Sequence, residues 1–89
     1  MNNPSTPDSL CASFGERPDK LTLRAAEDGT VLVEGSASAL EFLGNLLIAQ
    51  ARSQDCGFQL SPSGAGGALF SPSSDLGIYI HRIPCAHTQ

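Results

Sequence analysis

The chain has 89 residues, five Lys and Arg against nine Asp and Glu, and a net charge of −4. That length gives one domain with a small core and little room for a deep catalytic cleft. The charge argues against nucleic acid, where binding is driven by cations that neutralise phosphates, and no apolar run approaches the ~20 residues of a bilayer-spanning helix.

The first residues, Met-Asn-Asn-Pro-Ser-Thr-Pro-Asp-Ser, have no basic start and no apolar stretch, unlike a secretory signal. Three cysteines, Cys11, Cys56 and Cys85, form an odd set and point to reduced thiols. The expectation is a cytoplasmic protein of bacterial or phage character.

Residues 1–18 read as a flexible N-terminal segment. The polar, proline-bearing stretch 1–9 cannot bury enough surface to order itself, and Leu10 with Phe14 docks at most a single turn. Residues 19–84 form the α+β domain and 85–89 a C-terminal tail. The domain opens with a hairpin, because Leu21, Leu23 and Ala25 alternate with Thr22 and Arg24, and Val31 and Val33 flank Leu32. A two-residue Asp28-Gly29 turn would set Leu23 opposite Glu34. A three-residue loop, Glu27 to Gly29, sets Leu23 opposite Val33 and Ala25 opposite Val31, so like residues share a face. That loop requires Gly29 in the left-handed conformation. On the other face Arg24 is in reach of Glu34.

A helix follows, capped by Ser36 or by Ser38 with Glu41. Leu40, Leu43, Leu47 and Ala51 recur at helical spacing and are expected to face the sheet, with Leu46 beside them. Gly57 stops the helix after Asp55 and Cys56. Three short strands are expected next: Phe58 to Leu60, Ala68 to Phe70, and Leu76, Ile78 and Ile80 alternating with Gly77, Tyr79 and His81. The predicted fold is an antiparallel sheet of four to five strands with one amphipathic helix on one face, in the order ββαβββ.

No residue set identifies a chemistry, so no catalytic residue, metal ligand or cofactor is predicted. His81, Cys85 and His87 have metal-ligand side chains, with Cys56 a candidate neighbour. Zinc sites want four ligands in paired short spacings. Here the fourth is missing and Pro84 interrupts the run, so an exposed strand end is the simpler reading. A small thiol- or metal-dependent enzyme built on His81, Cys85 and His87 is the alternative from another class, but a terminal tail gives a Cys–His pair no preorganised pocket. Gly64, Gly66 and Gly67 lack the Lys-Ser or Lys-Thr of a phosphate loop and lead into a strand. Asp28 and Asp75 are turn residues.

Surface clues point to binding. Phe42 and Ile48 flank the expected inner stripe of the helix, and Tyr79, His81 and Ile83 lie opposite the core set of the last strand. Clustered apolar and aromatic side chains of this kind mark interfaces, here with a protein partner or a second copy of the chain.

Val31-Leu32-Val33-Glu34-Gly35-Ser36 leading into Leu40, Leu43 and Leu47, then Phe58-Gln59-Leu60, a Gly/Ser loop and Ser74-Asp75-Leu76-Gly77-Ile78, resembles the small immunity proteins of bacterial polymorphic toxin systems over residues 31–84. The resemblance implies a cytoplasmic, non-enzymatic inhibitor that binds and neutralises a cognate toxin, with no catalytic residue. A phage or mobile-element inhibitor of a host defence enzyme is the alternative within binding proteins. An acidic surface suits a basic partner in either case.

Overall fold

The computed structural model describes residues 6–84. Among these the order is helix α1 (Pro7–Gly15), strands β1 (Thr22–Ala25) and β2 (Val31–Glu34), helix α2 (Ala37–Ala51), strand β3 (Gly57–Leu60), a 3-10 turn (Gly67–Leu69) and strand β4 (Ile78–His81). The class is α+β. The expected single sheet of four to five strands under one helix is overturned. The described residues form two separate two-stranded antiparallel sheets, β1–β2 and β3–β4, and two helices.

Helix α1 occupies the stretch where at most one docked turn was expected. Thr6 caps it, accepting from the Ser9 N–H while the Ser9 hydroxyl accepts from the Thr6 N–H. Pro7 sits in the first turn, where its missing N–H costs nothing. The helix carries Phe14 into the core, where its ring stacks on Phe42 of α2 at 4.2 Å between centroids.

The β1–β2 hairpin has the register that the sequence predicts. Leu23 opposes Val33, Ala25 opposes Val31, and Gly29 has φ 86°. The Ala26 N–H donates to the Thr30 carbonyl and closes a loop of Glu27, Asp28 and Gly29. Hydrogen bonds from the Thr30 N–H and hydroxyl hold the Asp28 carboxyl below its ordinary pKa. Arg24 pairs with Asp75 at 3.5 Å rather than with Glu34.

The second edge of β1 explains why the sheets stay apart. It is covered by the segment 69–76, where the sequence predicts the end of one strand, a turn and the first residue of the last strand, Leu76. Gly66, at φ 83°, swings the chain into the 3-10 turn, and Leu21 makes a single parallel bridge to Phe70. The Leu21 N–H donates to the Leu69 carbonyl, and the Ser71 N–H donates to the Leu21 carbonyl. Pro72 then removes a ladder donor. Ser74 substitutes a side chain for the next rung. Its hydroxyl accepts from the Leu23 N–H, and the Leu23 carbonyl accepts from the N–H groups of Asp75 and Leu76. The outer backbone groups of Leu21 and Leu23 are therefore satisfied without a regular third strand.

Helix α2 begins at Ser36, whose hydroxyl accepts from the Ala39 N–H. Ser38 instead accepts from the Arg17 guanidinium. The helix ends at Ala51, five residues before Cys56, and the Gln50 amide donates to the Asp55 carbonyl across the turn. The buried face is Ala39, Phe42, Leu46, Ala49 and Gln50. The expected inner stripe is thus corrected: Leu40 and Leu47 are exposed, Leu43 is half-buried, and the helix is rotated by about one residue, or ~100°. Phe14 sets this phase, because it offers α2 an aromatic partner at position 42.

The core joins Phe14, Leu21, Leu23, Ala39, Phe42, Leu46, Leu60, Leu69 and Phe70. In the β3–β4 hairpin, Phe58 opposes Ile80 and Leu60 opposes Ile78, and all four turn toward that core. Gln59 and Tyr79 form the outward pair between them.

Candidate interaction surface

Two apolar surfaces lie outside the core. The first is β2. In its hairpin, the Ala26–Thr30 closing bond fixes the alternation of the antiparallel ladder. Leu32 and Glu34 point their N–H and C=O groups at β1, and Val31 and Val33 point theirs away. The phase agrees with β1, where Leu21 and Leu23 turn their backbone groups to the segment 69–76. No described backbone group bonds to the outer groups of Val31 and Val33. The side chains are open as well, with Val31 56%, Leu32 43% and Val33 40% exposed. β2 thus combines an unpaired edge with apolar residues on both faces.

The second surface is the outer stripe of α2, where Leu40 and Leu47 stand seven residues, or about two turns, apart and Ala51 continues the line. The residues singled out from the sequence are placed as follows. Phe42 is 5% exposed and belongs to the core, so it is withdrawn from the surface set. Ile48 is exposed, on the side of α2 that carries Asn45 and Arg52. Tyr79 is 69% exposed, with its ring 6.1 Å from that of His81 and its hydroxyl over Gly57. His81 is exposed at the end of β4, and Ile83 is 78% exposed beyond it. Tyr79 and His81 share one side of β4, with Ile83 in the bend beyond it, whereas Ile48 sits on the helix.

Sequence reasoning missed Val31, Leu32 and Val33, along with Leu40 and Leu47. The signal for the first three was present. Three successive apolar residues in one strand leave both faces apolar, and a single hairpin partner covers only one of its two edges.

An open groove of about 890 Å³ lies between the start of α1, the end of α2 and β3, lined by Leu10, Asn45, Ile48, Gln50, Arg52 and Phe58 among others. Gln50 is buried and its Oε1 has no partner among the described residues. That oxygen has essentially no accessible surface, so it does not present an acceptor to the groove.

The cysteine reading is corrected. Cys56 is disulfide-bonded and Cys11 carries a free thiol. Burial and then the nearby Asp8 charge push the Cys11 thiol up to about 11, which keeps it protonated and unreactive at neutral pH. At the end of β4, the Arg82 N–H donates to the Cys56 carbonyl and its guanidinium to the Ser53 carbonyl, so the strand end is fastened to the turn after α2. The predicted H-x3-C-x-H cluster reaches the described residues only through His81. Cys85 and His87 lie outside them. Among the described residues no group of His, Cys, Asp or Glu is arranged to hold a metal ion, and no helix is long and apolar enough to cross a membrane.

Comparison with protein-family models, curated proteins and solved structures finds no match to this chain.

Proposed function

We propose that this chain is a non-enzymatic protein-binding inhibitor, acting as an immunity protein that binds and neutralises a cognate bacterial toxin. The observation that carries the reading is the apolar, unpaired edge of β2, an arrangement that folded proteins usually cover, charge or interrupt. The exposed Leu40 and Leu47 on α2, and Tyr79 and Ile83 at the β4 end, add anchors of the type that carry interface energy. The net charge of −4 favours a basic partner and speeds its encounter. The toxin identity comes from the sequence resemblance of residues 31–84 and from nothing else.

The test is to purify the chain with the toxin domain encoded beside it. The expected result is a stoichiometric complex that silences the toxin, weakened by Leu32→Glu or Tyr79→Glu with folding intact. A toxin that stays fully active under excess inhibitor overturns the toxin reading. Unchanged binding by both variants overturns the surface.

A further inference from the structure

We infer that, when no foreign partner occupies it, β2 pairs edge to edge with β2 of a second copy of the chain, making a four-stranded antiparallel sheet across a two-fold axis at Leu32. This goes beyond the inhibitor reading and does not depend on it.

Only Val31 and Val33 direct their N–H and C=O groups outward, and they stand two residues apart. An antiparallel neighbour in which Val31 faces Val33 of the second copy satisfies all of them at once. The Val31 N–H donates to the Val33 carbonyl, the Val33 N–H donates to the Val31 carbonyl, and the two-fold axis repeats both bonds. This register is centred on Leu32.

The side chains fit the same register. Val31 opposes Val33, Leu32 opposes Leu32, and Thr30 opposes Glu34, so apolar meets apolar and no two carboxylates face each other. A register shifted by two residues toward the helix would set Leu32 against Glu34 on both sides of the axis. One shifted toward the turn would set Val31 against itself and Leu32 against Thr30. The strand is thus self-complementary in one register. That self-matching is why a second copy is favoured over an unrelated extended segment. An unrelated segment would satisfy the hydrogen bonds equally well but would have no reason to match this pattern of polarity.

Two consequences separate edge pairing from a dimer through another face. Each copy carries a charge of −4, so added salt screens the repulsion and tightens the dimer, the reverse of a contact held by ion pairs. Across the axis, the Leu32 pair occupies a non-hydrogen-bonded site with Cα atoms about 4.5 Å apart, within the usual Cα range for a disulfide. Val31 of the two copies stands two residues out of register, about 7 Å along the strand before the lateral spacing is added, too far to bridge.

Sedimentation of the unaltered full chain over a range of concentration and salt is the first test. Twice the 9.2 kDa chain mass at high concentration, favoured by salt, is expected. Mild oxidation of Leu32→Cys and Val31→Cys is the second, with the cross-link mapped by peptide mass so that Cys11 cannot be mistaken for it. Covalent dimer from Leu32→Cys and little from Val31→Cys is expected. A chain that stays monomeric throughout overturns the proposal, even if β2 proves to be occupied in a complex with a foreign protein. So does a dimer in which Leu32→Cys fails to cross-link, or in which Val31→Cys cross-links better.

Discussion

The two hairpins are built from similar apolar strands and end in opposite situations. β3–β4 turns Phe58, Leu60, Ile78 and Ile80 toward the core, and its far end is fastened through Arg82 to the turn after α2. β1–β2 buries Leu23 on one strand and leaves Val31, Leu32 and Val33 open on the other. Hydrophobicity alone does not separate them. The difference is what lies against each strand. The segment 69–76 covers the second edge of β1, and no described element covers the second edge of β2. An apolar strand is a core element only when the chain returns to cover it.

The sharpest break in that comparison is expected at Leu60. It is buried in β3, and Leu60→Ala should cost about 2–5 kcal/mol by denaturant unfolding, as cavities in well-packed cores do. The return of the chain beside β3 depends on Gly77, where a Cβ would stand 2.1 Å from the Leu60 carbonyl oxygen. Gly77→Ala forces these backbones apart and should cost about 1–3 kcal/mol in the same measurement. Arg24→Ala tests how much the covering segment owes to charge. Its partner Asp75 and Arg24 itself are both more than half exposed, so the loss should stay below ~1 kcal/mol and shrink with added salt. Val33→Thr keeps a β-branched side chain on the open strand. It should change stability by less than ~0.5 kcal/mol while weakening whatever contact β2 makes. A large loss of monomer stability at Val33 would mean that β2 is part of the core and would erase the contrast between the hairpins.

Parts of this fold are legible in the sequence because a local rule decides them. The β1–β2 register follows from alternation and from one glycine able to take φ 86°. β4 follows from Ile78, Tyr79 and Ile80. The phase of α2 is not legible in the same way. Apolar residues at 40, 42, 43, 46, 47, 48 and 49 leave two overlapping stripes, each with good helical spacing. The choice between them is made by Phe14, on a helix for which the sequence predicts at most a single docked turn. Pro7 belongs to the polar, proline-bearing stretch that is expected to stay unordered, yet at the first turn of a helix proline is a starter, and Thr6 with Ser9 completes the cap. The division into two sheets was hidden for a further reason. The segment 69–76 satisfies β1 with one bridge, a serine side chain and two N–H groups on one carbonyl, and none of these has a periodic signature. As for the surface, Ile48, Tyr79, His81 and Ile83 are exposed, while Phe42 left the set for the reason that changed the helix phase. The β2 edge was hidden by treating its three apolar residues as half of an alternation.

The central claim is that the outer edge of β2 is an open pairing surface. Residue-resolved amide exchange on the full chain tests it most directly. In dilute solution the Leu32 and Glu34 amides, bonded to β1, should be protected, while the Val31 and Val33 amides exchange freely. Raising the chain concentration, or adding a partner, should protect Val31 and Val33 with little change at Leu32. Val31 and Val33 amides already protected in the dilute monomer, or unprotected under every condition, would contradict the account.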